Sequence, residues 1–337
     1  MEPKSKFNLK NTFTHKKIMI TGGLGFIGSN LAQRLVKLNA KILIIDSLVP
    51  DHGGNIFNIK DIRRKVKVNI SDMRDKHSMT YLVRKCDYIF NLAGQVSHID
   101  SMENPQKDLE INCASQLSLL EACRKYNPGV KIIFASTRQI YGHPDYLPVD
   151  EKHILRPADI NGINKMAGEW YHILYNKIYG LPTTALRLTN TYGPRQLIRH
   201  NRQGFIGWFI HQILTNGEIN IFGDGMQRRD LNYVDDVVEA FLKAAASPKT
   251  NGEIFNLGHP KPITLKNIAK LMIKIYGRGN YKLTPFPPEK KKIDIGDCYC
   301  SFQKIKKALD WQPRISLKEG LRKTFNYYRR YQKYYLS

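Results

Sequence analysis

The stretch Ile18-Met19-Ile20-Thr21-Gly22-Gly23-Leu24-Gly25-Phe26-Ile27-Gly28 decides how the chain folds. A short apolar run leads into glycines spaced as Gly22-x-x-Gly25-x-x-Gly28, after which Leu31, Leu35 and Leu38 recur at helical spacing. The next apolar run, Lys41-Ile42-Leu43-Ile44-Ile45, ends on Asp46. Strand, glycine turn, helix and strand make a βαβ unit. The glycines have physical roles there: a tight turn, close approach of a pyrophosphate to the backbone, and close packing of helix on strand. The first helical residues, Phe26, Ile27 and Gly28, supply amide donors and the positive end of the helix dipole. Asp46, ending the second strand, is placed to accept hydrogen bonds from the adenosine ribose and to repel a 2′-phosphate. The expected cofactor is therefore NAD rather than NADP.

The alternation continues outward from this unit. Val66-Lys67-Val68 reads as a third strand, and Asp72 and Met73 follow it. Asp72 is placed either to meet the adenine amino group or to cap the next helix. A helix at 79–85 precedes the strand Tyr88-Ile89-Phe90-Asn91-Leu92, which runs on into Ala93 and Gly94 beside the cofactor. A helix at 109–126, a strand at 131–136, a helix at 164–179 and a strand at 184–188 complete the pattern. Repeated βα alternation predicts an α/β fold with a doubly wound parallel sheet (Rossmann). Beyond Asn190 the pattern loosens into helices at 205–215, 235–246 and 265–276, with an extended piece at 220–222. That region reads as a smaller C-terminal α/β substrate lobe. The expected organisation is a tail at 1–16, a mainly cofactor-binding domain at 17–190 and a mainly substrate-binding lobe at 191–325. A second tail occupies 326–337, and the chain is free to cross between the lobes.

Lys and Arg number 53 against 29 Asp and Glu, a formal charge of +24. Nucleic acid, an anionic membrane surface or a phosphate-bearing substrate would each suit that charge. The basic residues are spread out, apart from Lys290 to Lys292 and the tail around Arg329, Arg330 and Lys333. With no nucleic-acid-binding module visible, biased composition is the favoured reading and no nucleic-acid partner is expected. The tyrosine-rich tail around Arg329 reads as a solvated helix end, or as a peripheral contact for a membrane or a partner subunit. The N-terminal segment is polar and basic without an apolar core, and no apolar run is long enough to span a bilayer. Five cysteines without a CxxC pair suggest free thiols in a reducing, cytoplasmic setting. His98, His143, His200 and His211 lack ligand spacing, and Asp235-Asp236 reads as a helix start, so no metal is expected.

Six motifs occur in order: the glycine turn, Asn91-Leu92-Ala93-Gly94, Ser136-Thr137-x-x-Ile140-Tyr141-Gly142, Asn164-Lys165, Tyr192-Gly193-Pro194-Arg195, and Arg229-Asp230-x-x-Tyr233-Val234-Asp235-Asp236. Together, over about residues 16–325, they resemble the extended short-chain dehydrogenase/reductases of the NAD-dependent epimerase/dehydratase family, which act on nucleotide sugars. Leu92-Ala93-Gly94-Gln95-Val96 and the stretch from Gln203 to Phe209 partially resemble the CDP-paratose 2-epimerase (CDP-tyvelose epimerase) branch. The resemblance implies a nucleotide-diphosphate sugar as substrate, a transient ketone, and a homodimer built on the Lys165 helix. It places Thr137 and Lys165 in the catalytic group, Lys165 also on the nicotinamide ribose, and Gln95, Asn190, Arg195 and Arg229 around the substrate.

Two positions depart from the family pattern. The tyrosine of its YxxxK motif is Asn161 here, and an amide does not exchange a proton near neutral pH. Either another group, such as Tyr141, His143 or a water on Thr137, moves the proton, or the chain binds NAD and sugar with weakened turnover. Arg138-Gln139 stands where the family's 4,6-dehydratases carry Asp-Glu, which disfavours dehydration. Arg138 then pairs either with a charged substrate group or within the fold.

Overall fold

The computed structural model describes residues 7–336, apart from the side chains of 289 and 290; residues 1–6 and 337, with the Lys290 side chain of the basic run, lie outside the described residues. The first strands are β1 (Lys17–Thr21), β2 (Lys41–Asp46), β3 (Val66–Ile70), β4 (Tyr88–Asn91), β5 (Lys131–Thr137) and β6 (Thr183–Leu188). Beyond them come β7 (Asn190–Tyr192), β8 (Glu218–Phe222), β9 (Arg228–Arg229), β10 (Leu231–Tyr233), β11 (Glu253–Leu257), β12 (Ile263–Thr264) and β13 (Asn280–Thr284). Seven of them form one sheet in the order β3-β2-β1-β4-β5-β6-β11, every neighbouring pair parallel. The order reverses between β1 and β4, and the crevice beyond the carboxyl ends of those strands is where such sheets bind ligands. The sheet takes its last strand, β11, from beyond residue 190, so the chain returns from the second lobe to finish it.

A parallel sheet covered on both faces needs continuous apolar strands. Accordingly Lys131 to Ser136 of β5 are all buried, with Phe134 inaccessible to solvent. The second lobe packs in the same way: Ile206, Ile210 and Ile213 of the helix Phe205–Leu214 are buried beside Ile219 and Ile221 of β8. Each fully buried side chain of this size contributes about 1.5–3 kcal/mol.

The helices on the cofactor side are α1 (Leu9–Phe13), α2 (Phe26–Lys37), α3 (Lys76–Leu82), α4 (His98–Glu103), α5 (Pro105–Leu109), α6 (Ser115–Tyr126) and α7 (Ile160–Tyr179). Four segments of the chain, three of them here, differ from the sequence reading. The first tail is not wholly a tail, because α1 starts on an Asn8 cap and buries Phe13 in the core. The helix expected at 109–126 is interrupted by a π-helical turn, Glu110–Ala114. That turn lets Asn112 reach both the Gln95 carbonyl, at 3.0 Å, and Asp108, at 3.1 Å. The Lys165 helix begins earlier than expected, at Ile160, since the Asp159 carboxylate accepts the Gly162 N–H at 2.7 Å and caps it.

The C-terminal tail is the fourth difference. The helix Leu317–Tyr331 and the turn Gln332–Tyr334 bring Tyr328 and Tyr335 into the core, and Tyr334 stacks on Phe57 with ring centroids 3.6 Å apart. Tyr328 and Tyr335 thus pack on their own chain, while Tyr334 remains 41% exposed. Among the described residues no helix is long and apolar enough to cross a membrane.

Candidate active site

A cleft of about 580 Å³ opens at the carboxyl ends of β1, β4 and β5, within the usual size range of small-molecule sites. Its first part is the glycine turn. Gly22 takes a left-handed φ of +64°, and a Cβ there would lie 2.9 Å from the Ala93 backbone nitrogen. A Cβ on Gly28 would collide with the Gly22 carbonyl oxygen, which is why α2 can sit so close to β1. Gly25 is the N-cap of α2 and no side chain caps it, leaving the first amides of Phe26, Ile27 and Gly28 for a phosphate.

Asp46 lines the same cleft at the end of β2. Its two oxygens accept the Leu24 and Leu48 N–H groups, both at 3.0 Å, and each keeps a lone pair for a ribose hydroxyl. Burial nevertheless pushes its carboxyl above the usual range. Asp72 and Met73 lie along the cleft, and Asp72 is ion-paired to Arg74 at 2.8 Å. The cap of α3 is Asp75, so the capping role considered for Asp72 belongs to another residue. Leu92, Ala93 and Gly94 follow β4, where the Thr21 hydroxyl accepts the Leu92 and Ala93 N–H groups. This donor set, a bare helix terminus at one end and a carboxylate on the second strand, fits NAD.

Thr137 and Lys165 also line the cleft. Thr137 ends β5, and its hydroxyl accepts the Gln139 N–H at 3.2 Å, a local capping bond beside the cleft. The Lys165 ammonium donates to the Ala135 carbonyl at 2.6 Å and sits 4.5 Å from the Phe134 ring centre. Burial pulls its pKa down to about 8, against the opposing charges of Asp108 and Glu169. Asn161 is buried, and its amide donates to the Gln95 carbonyl at 2.8 Å and to Asp108 at 3.0 Å. Gln95 in turn folds onto Ser97, whose N–H it accepts at 2.6 Å.

Asn190 and Arg229 lie at the same cleft because β7 and β10 pair with Asn190 opposite Leu231. Burial, with the nearby Arg138 charge, lowers the Arg229 guanidinium to about 10, still cationic at neutral pH. Arg138 approaches Asn190 Oδ1 and Cys298 Sγ, each at 3.5 Å. Within the fold the Arg138 charge acts on Cys298, whose thiol is lowered to about 5 by a bond to Cys300 and by that charge, rather than pairing with a carboxylate among the described residues.

Three expected site residues lie elsewhere. Tyr141 is inaccessible to solvent, donating to Asn256 at 2.8 Å and accepting from Arg187 at 2.6 Å, and burial pushes its phenol far up. His143 is exposed and outside the cleft lining. Neither is positioned to take a proton from a ligand there. Arg195 turns away on a left-handed backbone, φ 74°, and binds Asn30 Oδ1 at 2.7 Å and the Asn58 carbonyl at 3.2 Å. It is held by residues around α2 instead of facing the cleft. Among the described residues no group of His, Cys, Asp and Glu side chains is arranged to hold a metal ion, and Asp235 and Asp236 open the helix Val234–Ala246 as expected.

The cleft also contains residues that the motifs did not reveal. His98 meets the Asp159 carboxylate through Nδ1, and its Nε2 lies 2.6 Å from the Gln139 amide nitrogen. Asp159, the cap of α7, was not singled out in the sequence, and nothing there ties it to His98, 61 residues away.

The chain is similar over most of its length to known proteins. A Methanocaldococcus jannaschii protein provisionally assigned as a UDP-glucose 4-epimerase is 36% identical over 314 residues, covering 92% of this chain and 97% of its own. The CDP-paratose 2-epimerase of Salmonella typhi is 30% identical, covering 92% and 98%. The crystal structure of Thermotoga maritima UDP-glucose 4-epimerase with UDP-glucose superposes with a TM-score of 0.84 at 33% identity, over 94% and 99% of the chains. Since residues 18–258 match the family itself, the chain belongs to the NAD dependent epimerase/dehydratase family.

Proposed function

We propose that the chain is an NAD-dependent epimerase of nucleotide-diphosphate sugars that works through a transient ketone. One observation carries this reading: a single cleft joins the dinucleotide cradle at Asp46 to the cations Arg138 and Arg229, with Thr137 and Lys165 in the same lining. When bound, NAD supplies the acceptor, and afterwards the donor, of hydride at one sugar carbon. The chain's own residues do the rest. The amides of α2 hold the pyrophosphate, Asp46 the adenosine ribose, and Asp72 and Met73 flank the adenine. Lys165 holds the nicotinamide ribose, and its charge favours an alkoxide over a neutral hydroxyl nearby. Thr137 offers a hydroxyl to the sugar, while Gln95 shapes the cleft floor through Ser97 and Asn161. Asn190 and Arg229 take the substrate diphosphate, where a planar guanidinium fork suits phosphate oxygens. Arg138 meets an oxygen or an anionic group on the sugar. With Arg138 and Gln139 at the positions a dehydratase fills with carboxylates, epimerisation is favoured over loss of water.

A second reading has an observation of its own. Asn161 is tied to Asp108 and Gln95, so the chain could hold NAD and sugar with little turnover. Incubating the NAD-loaded protein with UDP-glucose, UDP-galactose and CDP-paratose, followed by NMR of the sugars, tests the two. Inversion at one carbon is expected. Tight binding with neither inversion nor reduction of the cofactor in any case would favour the second reading.

The assembly is proposed to be a homodimer. Ile163, Trp170, Leu174 and Ile178 make a half-exposed apolar stripe along α7, at spacings that fall on one helix face. A second copy of α7 would cover it.

A further inference from the structure

The proposed ketone needs a group that takes a proton from the substrate hydroxyl, and Asn161 cannot supply it. The same cleft holds an arrangement that can. His98 is the first residue of α4, and Asp159 is the cap of α7, against which α4 packs. The Asp159 side chain is 4% exposed and that of His98 43%, so the carboxylate is hidden and the ring reaches the cleft. One Asp159 oxygen accepts the Gly162 N–H at 2.7 Å, and the other meets His98 Nδ1. Burial pushes the Asp159 carboxyl up, but its bond to His98 and the Gly162 amide more than offset this and keep it ionised. An ionised carboxylate at Nδ1 fixes the proton there and leaves the lone pair on Nε2. That lone pair points to the Gln139 side-chain amide at 2.6 Å, a cleft-lining group that a substrate hydroxyl can replace.

We propose that His98, oriented by Asp159, is the proton carrier of this active site in place of the tyrosine absent at position 161. The inference rests on the epimerase reading above. The substrate O–H bond breaks and its proton passes to His98 Nε2. The C–H bond breaks with its electron pair going as hydride to the nicotinamide ring of NAD, and the carbon–oxygen double bond forms. On return the hydride re-forms the C–H bond on the opposite face, and Nε2 gives the proton back to the oxygen. Asp159 is the positioning residue: it sets the tautomer and stabilises the imidazolium that forms. Lys165 is the rival base, but with a pKa of about 8 it is mainly the ammonium at neutral pH, a donor to the Ala135 carbonyl at 2.6 Å with no lone pair for a proton.

The test uses the NAD-loaded protein and the sugar nucleotides named above. His98→Gln is expected to lower kcat by about 10²–10⁴-fold while leaving KM within about threefold. Asp159→Asn keeps a capping oxygen for α7 and is expected to lower kcat at least about tenfold, again with little change in KM. His98→Ala should regain turnover when imidazole is added, an effect that a purely structural role would not produce. NAD affinity of His98→Gln, measured by calorimetry, should match that of the wild type and so show an intact cleft. A His98→Gln variant that keeps kcat within about threefold would overturn the inference and leave the epimerase reading standing. A wild-type protein that leaves every sugar unchanged would overturn both.

Discussion

The Asn161 side-chain amide donates to the Asp108 carboxylate at 3.0 Å, joining Asn112 at 3.1 Å and Asn164 at 2.8 Å on the same group. Asp108 is 1% exposed, so the three amides satisfy a buried carboxylate. Asn161, where the resemblance places a tyrosine, is thus bound into a polar cluster whose carboxylate also acts on Lys165. Asn161→Leu removes one donor from that carboxylate and is expected to cost about 1–3 kcal/mol of stability. Urea unfolding measures it, and a change below about 0.5 kcal/mol would contradict the assignment.

Asp46 makes the cofactor choice testable. Asp46→Asn keeps the shape and one of the oxygens bonded to Leu24 and Leu48 but removes the charge. NAD affinity is expected to fall about ten- to a hundredfold, or about 1.4–2.7 kcal/mol, and the preference for NAD over NADP to narrow. Calorimetric titration of both dinucleotides reads the two effects separately.

The cofactor half of the site was legible because backbone geometry demands it. Only glycine takes the turn at Gly22 and the close contact at Gly28, and a carboxylate on the second strand has one obvious partner. The proton-transfer half was not legible. His98 and Asp159 are far apart in sequence and meet only where α4 packs on α7, so no periodicity links them. Arg195 misled for a related reason: its motif sits by the cleft, but its left-handed backbone turns the side chain toward Asn30. In the C-terminal segment, charges alternating with tyrosines hide a buried face, since Arg329 and Arg330 point outward from the turn that buries Tyr328.

Arg229 separates substrate from cofactor recognition. Arg229→Gln leaves the glycine turn and Asp46 untouched and removes a buried cation from the proposed diphosphate site. Affinity for UDP, used as a probe, is expected to fall about a hundredfold while NAD affinity holds. Equal losses for both ligands would instead make Arg229 a fold residue.

Trp170 tests the assembly. Placed midway along the apolar stripe of α7, it is half-exposed in a single chain. Trp170→Lys puts a charge into the proposed helix pair and is expected to shift a dimer toward monomer in sedimentation or light scattering. If the wild type is itself monomeric at micromolar concentration, the stripe has another occupant.

His172 predicts a pH dependence of stability. It is fully buried, stacked on Phe134 with centroids 4.3 Å apart, with Nδ1 on the Gly168 carbonyl and Nε2 facing the Asn91 amide. Burial lowers its pKa from 6.5 to about 4, so the folded ring stays neutral where the unfolded ring is charged. Between those values the unfolded chain binds a proton that the native state refuses, and stability falls as the solution is acidified. The contribution is complete above pH 6.5, is lost progressively toward about pH 4, and is level below it. Its full size is about 3 kcal/mol. Asp230 works in the opposite direction, since burial raises its carboxyl to about 7 and the native state gains that proton first. The difference between the wild-type and His172→Gln stability curves, measured by urea unfolding across this range, isolates the histidine. The wild type should lose more stability on acidification than the variant, and parallel curves would show that the ring is not held neutral.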